Sequence, residues 1–160
     1  MGSSALELLE RLREAQNRHD LDAMVACFAE DYRSEQPAYP DRQFGGAAQV
    51  RKNWSALLSA MPDFHAELVR GAQTDDEAWV EWHWRATRPD GSPYEARGVV
   101  IMGVVDDRIT WGRLYMSEVE HEGAGIDEGH VAGAGMELQR GGDAEDATAD
   151  DEDAHARSLT

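Results

Sequence analysis

Cysteine, lysine and long apolar segments are scarce in this sequence, and each shortage excludes a class of protein. The single cysteine, Cys27, rules out a disulfide within the chain and any metal site built from several cysteines. Because Cys27 lies in an apolar helical pattern, we expect it to be a small buried hydrophobe. The only lysine is Lys52, so that fourteen of the fifteen basic side chains are arginines.

No run of about 18 apolar residues is present that could span a membrane as a helix. The N-terminal stretch MGSSALELLERLRE is charged and amphipathic where a secretory signal would be apolar. These features predict a cytoplasmic protein.

Acidic side chains outnumber basic ones, and the formal net charge is -17. Residues 1–120 hold 13 basic and 21 acidic side chains, whereas residues 121–160 hold 2 and 11. Proteins bind nucleic acids and anionic lipid surfaces with lysine and arginine side chains that neutralise phosphates. The charge balance therefore predicts neither nucleic acid nor membrane as a partner.

The composition divides the chain into a domain, residues 1–120, and an acidic Gly/Ala-rich tail, residues 121–160. The tail has almost no large apolar side chain to bury, so it cannot offset the entropy lost on ordering, and we expect it to be disordered. Its runs DAED and DDED lack the residue order of an EF-hand calcium loop. A solubilising role is the simplest interpretation.

Helical signals are concentrated in the first half of the domain. The stretch SALE has capping-box spacing, and the apolar periodicity that follows predicts a first helix to about Asn17. Asp20 can cap a short second helix that ends near Ala29. A third helix is predicted from Ala47 until Pro62 stops it.

Strand signals dominate the rest of the domain. A short first strand is predicted from Tyr32 to Gln36, before a proline-containing loop. Four further segments at hairpin spacing predict an antiparallel meander: FHAELVRGA, AWVEWHWRAT, YEARGVVIMGVV and RITWGRLYMSEV. Strands that follow helices, without alternation of the two, favour an α+β domain.

Three stretches together resemble a known superfamily: HDLDAMVACFAEDYRSEQP, FGGAAQVRKNWSALLSAMPDF and VVIMGVVDDRITWGRLYM. The chain looks like the nuclear transport factor 2-like superfamily, in its SnoaL-like branch of polyketide cyclases and relatives of ketosteroid isomerase and limonene-epoxide hydrolase. The resemblance covers about residues 5–120. It implies a cone-shaped α+β barrel, in which N-terminal helices pack on a curled antiparallel sheet around a deep apolar pocket. It also implies a homodimer formed through the outer face of the sheet.

The resemblance lets the catalytic positions of relatives be checked. The base of ketosteroid isomerase matches Gln36, which has no titratable group, and its oxyanion-hole positions match Leu12 and Ile101. The catalytic positions of the epoxide hydrolase match Trp82, Trp84 and Leu114. Both standard mechanisms are therefore disfavoured.

A SnoaL-type cyclase needs chiefly an acid that moves protons in an enolisable substrate. Glu35 is the best carboxylate candidate, although it would point away from Gln36 in a regular strand. In this hypothesis Tyr32, Ser34 and Gln36 polarise a carbonyl oxygen.

Alternation along the strands assigns side chains to two faces of the sheet. With residues from the helices, the inner face predicts a ligand pocket formed by Phe28, Tyr32, Ser34, Gln36, Trp54, Leu58, Met61, Trp82, Trp84, Arg97, Val99, Ile101 and Leu114. An inward Arg97 would need a carboxylate partner or an anionic ligand. The alternative is that these apolar side chains fill the core and leave no cavity.

The outer face predicts a second surface, formed by Trp79, Glu81, His83, Arg85, Trp111, Arg113 and Tyr115. Arginine and aromatic residues are enriched at interface hot spots. Histidines show no recognisable ligand spacing, so we predict no metal. The family resemblance implies that any reaction proceeds without a cofactor. The sequence thus predicts a protein that binds a small apolar organic molecule, with or without isomerase or cyclase activity by proton transfer. The alternative is a non-catalytic dimeric ligand-binding or protein-interaction module.

Overall fold

The structure is a computed structural model, and it describes residues 4–121 of the chain. These residues form three α-helices, α1 (Ala5–Asn17), α2 (Leu21–Ala26) and α3 (Ala47–Ala60), and one turn of 3-10 helix (Pro40–Arg42). The six strands are β1 (Phe28–Glu35), β2 (Phe44–Gly45), β3 (His65–Gln73), β4 (Glu77–Thr87), β5 (Pro93–Val105) and β6 (Arg108–Glu118). From residue 122 onward the predicted tail lies outside the described residues.

Helix α1 begins and ends where the sequence predicts. The Ser4 hydroxyl accepts a hydrogen bond from the Glu7 backbone N–H at 3.2 Å, and the Glu7 carboxylate accepts one from the Ser4 N–H at the same distance. These two bonds satisfy N–H groups that a helix start leaves without intrahelical partners. The buried face of α1 carries Leu8, Leu9 and Leu12. Local capping and apolar spacing are sufficient to explain this helix.

The predicted boundary between α2 and β1 is wrong by a few residues. Asp20 caps α2 as expected, accepting a hydrogen bond from the Ala23 N–H at 3.1 Å. The helix ends at Ala26, and the strand already begins at Phe28, whose register partner on β6 is Ile109. Pairing with a distant strand therefore overrides the helical pattern that continues to Ala29.

The sheet order is β2-β1-β6-β5-β4-β3. Strands β3 to β6 form the predicted antiparallel meander. Strand β1 runs parallel to β6, so the sheet is mixed, and the two-residue β2 pairs with β1 at one edge. The three helices pack against this sheet, which is not closed, and the predicted α+β class is confirmed.

The core lies between the helices and the inner face of the sheet. Strand alternation sends Ala78, Val80 and Trp82 of β4 into it, each at most 1% exposed. Leu9 of α1 and Met24 of α2 pack there fully buried. Within residues 4–121 no helix is both long and apolar enough to cross a membrane.

Candidate functional site

A cavity of about 70 Å³ lies between helices α1 and α3 and the inner face of the sheet. That volume has room for about five water molecules. Its walls are mainly apolar, as is typical of small-molecule sites. The lining residues are Leu12, Gln16, Phe28, Tyr32, Ser34, Phe44, Val50, Asn53, Trp54, Leu57, Trp82, Trp84, Val100, Met102 and Leu114.

Aromatic side chains form most of the cavity wall. Trp54 of α3 meets Trp84 of β4 with ring centroids 5.6 Å apart and planes at 75°. Phe28 and Tyr32 of β1 make a similar edge contact, at 4.8 Å and 73°. Edge-to-face packing is a favourable arrangement of aromatic rings, so these contacts hold the wall in place.

Strand and helix periodicity explains how these residues converge. Trp82 and Trp84 are two residues apart on β4 and therefore share the inner face. On α3, Val50, Asn53 and Leu57 recur at helical spacing and face the same cavity.

Gly112 of β6 leaves room for the Tyr32 side chain. A Cβ atom at position 112 would lie 2.7 Å from the Tyr32 hydroxyl oxygen, which is too close for van der Waals contact. The absence of a side chain at this inward position thus lets the phenol hydroxyl lie against the backbone of β6.

Five buried side-chain nitrogen and oxygen atoms lack a hydrogen-bond partner among residues 4–121, and all five belong to residues that line the cavity. They are Gln16 Oε1, Ser34 Oγ, Asn53 Nδ2, Trp82 Nε1 and Trp84 Nε1. A buried polar group left unpaired costs about 1–3 kcal/mol. The unsatisfied polar groups therefore concentrate at one place in the molecule, which is typical of a ligand or solvent site.

Tyr32 is the only titratable residue that the described part of the chain contributes to the lining. Burial raises the pKa of its hydroxyl to about 12, and the nearby Ser34 hydroxyl lowers it by a smaller amount. The contact between the two hydroxyls does not have the geometry of a regular hydrogen bond. The phenol is therefore neutral at physiological pH. The lining includes no Asp, Glu, His, Lys or Arg from residues 4–121.

Seven of the residues that we predicted for the pocket line the cavity: Phe28, Tyr32, Ser34, Trp54, Trp82, Trp84 and Leu114. Eight lining residues were missed: Leu12, Gln16, Phe44, Val50, Asn53, Leu57, Val100 and Met102. A helical-face analysis of α1 could have found Gln16, since it lies one turn beyond Leu12. No local signal identifies Phe44, because its place depends on the pairing of β2 with β1.

The predicted orientation of β5 is wrong. Val100 and Met102 face the cavity, whereas Arg97, Val99 and Ile101 lie on the outer face. Register explains the difference, because Val100 pairs with inward residues of both neighbouring strands. The run VVIMGVV is apolar on both faces, so its pattern cannot assign them.

Arg97 therefore does not anchor a ligand in the cavity. Its side chain is 60% exposed and pairs with Glu95 at 3.1 Å. The expectation that an inward guanidinium needs an anionic ligand does not apply to this residue.

The remaining predicted pocket residues lie in other surroundings. Gln36 is buried, but its amide donates a 3.4 Å hydrogen bond to the Arg42 carbonyl oxygen outside the lining. Met61 is buried in the core, and the half-buried Leu58 packs against that core. None of these three contributes to the lining.

Glu35, the predicted acid, lies outside the cavity. Its side chain is 45% exposed and pairs with Arg113 across the strand at 3.3 Å. The pairing of β1 with β6 shifts register between Phe28 and Arg33, but from Tyr32 to the end of the strand alternation is regular, so the carboxylate points away from the inward Ser34. As a result, the cavity lining has no carboxylate from the described residues.

The outer face of the sheet carries exposed apolar side chains on four adjacent strands. These are Val69, Trp79, Val99 and Tyr115, each between 37% and 48% exposed. Val99 and Tyr115 are direct cross-strand partners. Trp111 also lies on the outer face, where its indole packs over Gly103 of β5. A Cβ atom at position 103 would collide with that indole.

His83 also lies on this face but is only 8% exposed. Its Nε2 lies 2.7 Å from Glu95 Oε1, and its Nδ1 lies 3.6 Å from Glu67 Oε2. The hydrogen bond from His83, followed by the contacts of Arg97, lowers the pKa of Glu95. His121 reaches the second oxygen of the same carboxylate at 2.9 Å. Glu95 thus links two histidines and an arginine.

Glu81 and Arg85 complete the predicted outer-face set. Glu81 pairs with Arg70 at 3.2 Å, and Arg85 approaches Glu67 at 3.8 Å. Across residues 4–121 no group of three or more His, Cys, Asp or Glu side chains is arranged to hold a metal ion.

A family model, the SnoaL-like domain, matches residues 9–111. This match spans more than half of the chain, and the protein therefore belongs to the SnoaL-like domain family. A search of curated proteins finds no match to the sequence.

Solved structures share the fold at low sequence identity. A Mycobacterium tuberculosis protein in complex with estradiol-17beta-hemisuccinate has a TM-score of 0.62 and 20% identity, over 71% of this chain and 97% of that one. A protein of ketosteroid isomerase-like fold from Catenulispora acidiphila, in complex with trimethylamine, has a TM-score of 0.60 and 12% identity, over 75% and 88%. A candidate polyketide cyclase from Sinorhizobium meliloti has a TM-score of 0.54 and 22% identity, over 67% and 92%.

Proposed function

We propose that this member of the SnoaL-like family binds a small, largely apolar organic molecule in the cavity between α1, α3 and the sheet. The observation that carries the proposal is the concentration of unpaired buried polar atoms in one aromatic cavity. A ligand there removes apolar surface from water and offers hydrogen bonds to groups that lack them. A Mycobacterium tuberculosis protein of the same fold is in complex with an organic molecule, estradiol-17beta-hemisuccinate, which supports small-molecule binding in general.

Binding without chemistry is the form of the proposal that the lining favours. A proton-transfer isomerase or cyclase needs a group whose pKa lies near the working pH. Tyr32 titrates far above neutral pH, and Glu35 pairs with Arg113 on the other face. Tyr32 and Ser34 can polarise a carbonyl oxygen, but the described lining offers no base to take the proton.

The test of binding is native mass spectrometry of protein purified from its own host. A retained small molecule is the expected result, and Leu114→Trp, which fills the cavity, should abolish it. Trp79→Phe on the outer face is the matched control and should retain the molecule. Protein that is always empty, or ligand kept by Leu114→Trp, would contradict the proposal.

We propose pairing with a second copy through the outer face as a further role of the same chain. Trp79, Val99 and Tyr115 form an apolar patch on adjacent strands, and exposed aromatic residues are typical of interface cores. Light scattering coupled to size-exclusion chromatography should give the mass of a dimer. Trp79→Glu with Tyr115→Glu should give a monomer, because the two charges would be buried without partners. A wild-type monomer would refute the pairing.

A further inference from the structure

We propose that the cavity selects uncharged ligands that carry a hydrogen-bond acceptor such as a carbonyl oxygen. The Asn53 amide and the indole N–H groups of Trp82 and Trp84 would donate hydrogen bonds to that acceptor. This inference rests on the proposed binding function and adds the chemical class of the ligand. In this proposal two tryptophans and one asparagine determine ligand specificity, a role that charged side chains have in other sites.

The first step is the balance of donors and acceptors around the cavity. Asn53 Nδ2, Trp82 Nε1 and Trp84 Nε1 are donors that cannot accept a hydrogen bond. The Asn53 carbonyl oxygen already accepts a bond from Gln49 Nε2 at 2.8 Å, which orients the free amide hydrogens away from Gln49. Three donors on residues that line the cavity are therefore left without acceptors, and a ligand acceptor would supply what they lack.

The second step is the remaining pair of unpaired atoms. Gln16 Oε1 is an acceptor, and the Ser34 hydroxyl can donate or accept. These two groups come from α1 and β1, whereas the three donors come from α3 and β4. The cavity can thus also accommodate a hydroxyl on the ligand, but three of the five unpaired atoms are N–H donors that cannot accept a hydrogen bond.

The third step is charge. A carboxylate or ammonium group that enters an apolar cavity loses its hydration, and this loss is offset only by an opposite charge or by several hydrogen bonds. Residues 4–121 contribute no charged side chain to the lining, and the formal net charge of -17 further disfavours an anion. Aromatic faces attract cations, but three N–H dipoles without acceptors oppose a cation. A neutral acceptor satisfies the walls without either conflict.

The test uses four benzene derivatives of similar size, titrated into the full chain by isothermal titration calorimetry. Acetophenone carries a carbonyl acceptor, ethylbenzene carries none, benzoate is an anion and benzylammonium is a cation. We expect acetophenone to bind about tenfold more tightly than ethylbenzene, which is the effect of satisfying one buried donor. Benzoate and benzylammonium should bind more weakly than ethylbenzene.

The outcomes separate this inference from the function on which it rests. If none of the four compounds binds at millimolar concentration, the proposed function fails and the inference with it. If ethylbenzene binds as tightly as acetophenone, or either ion binds best, the cavity binds ligands but the inference is wrong.

Two substitutions test the assigned residues. Asn53→Leu and Trp84→Phe each remove a donor and keep most of the volume, so each should reduce the preference for acetophenone over ethylbenzene several-fold. Ethylbenzene affinity should change little, which shows that the cavity is still formed. Trp79→Phe, an outer-face indole, is the matched control. If the double variant Asn53→Leu with Trp84→Phe retains the full preference for acetophenone over ethylbenzene, these residues do not donate to the ligand acceptor.

Discussion

Replacement of Asn53 by leucine should make the ligand-free protein more stable, because the asparagine side chain carries a buried N–H donor that has no partner until a ligand binds. Asn53 is 8% exposed and its Nδ2 has no partner. An unpaired buried amide costs about 1–3 kcal/mol, whereas the hydrogen bond lost with Gln49 contributes only about 0.5–1.5 kcal/mol. Gln49 is half-buried, so water that reaches its amide can replace part of that bond. Leucine also has the higher helix propensity, by a few tenths of a kcal/mol.

The expected net change is a gain of about 1 kcal/mol in the free energy of unfolding, since the lost and recovered contributions partly cancel. For a domain of this size that gain raises Tm by roughly 4 °C. Urea denaturation followed by tryptophan fluorescence measures the free energy, and differential scanning calorimetry measures Tm.

The matched control is Asn17→Leu on α1. The Asn17 amide donates to the Ala66 carbonyl at 2.9 Å and accepts from the Ala66 N–H at 2.7 Å, and Ala66 is fully buried. Leucine there leaves two backbone groups unpaired and should destabilise the protein by about 2–4 kcal/mol. If Asn53→Leu destabilises as much as Asn17→Leu, the amide of Asn53 has a partner within the fold and the reasoning is refuted.

Three further predictions follow from single contacts. Glu95→Gln should lower Tm at pH 7, because the lowered pKa of Glu95 means that its charged form stabilises the fold above the unfolded pKa of about 4.3. This difference should vanish as the pH falls through the folded pKa, and a difference that grows in acid, in circular-dichroism melts, would contradict it. Gly98→Ala should prevent normal folding, because the new Cβ would lie 2.0 Å from the Tyr115 carbonyl oxygen; Gly45→Ala, with 3.5 Å to its nearest atom, should fold normally in the same assay. Acetophenone affinity should stay constant from about pH 5 to 9, since Tyr32 titrates only at about 12; calorimetry that finds a bell-shaped profile would reveal a second titrating group.

The parts of the fold that depend on local sequence could be predicted, and those that depend on distant pairing could not. Capping by Ser4 and the apolar face of α1 define the first helix without reference to the sheet. Alternation along β4 correctly places Trp82 and Trp84, because polar and aromatic residues alternate there. The parallel pairing of β1 with β6 has no local signal, since it joins residues far apart in the sequence.

The sequence pattern predicted the aromatic side chains of the candidate site, but it did not predict the amide side chains that line it. Gln16 and Asn53 lie on helices whose other buried residues are apolar, and a sequence cannot show that their amides lack partners. On β5 both faces are apolar, so only register with β4 and β6 distinguishes Val100 from Val99. Hydrogen-bond accounting in three dimensions is what identifies the donors of the cavity.

The indole N–H resonances provide the most direct test that a neutral ligand binds inside the cavity. The chain has five tryptophans, so a ¹⁵N–¹H correlation spectrum should contain five indole signals, which tryptophan-to-phenylalanine variants assign. Titration with acetophenone should move the signals of Trp82 and Trp84 downfield, as expected for new hydrogen bonds, and leave those of Trp79 and Trp111 on the outer face unchanged. Five unmoved signals, or shifts confined to the outer-face indoles, would contradict the account.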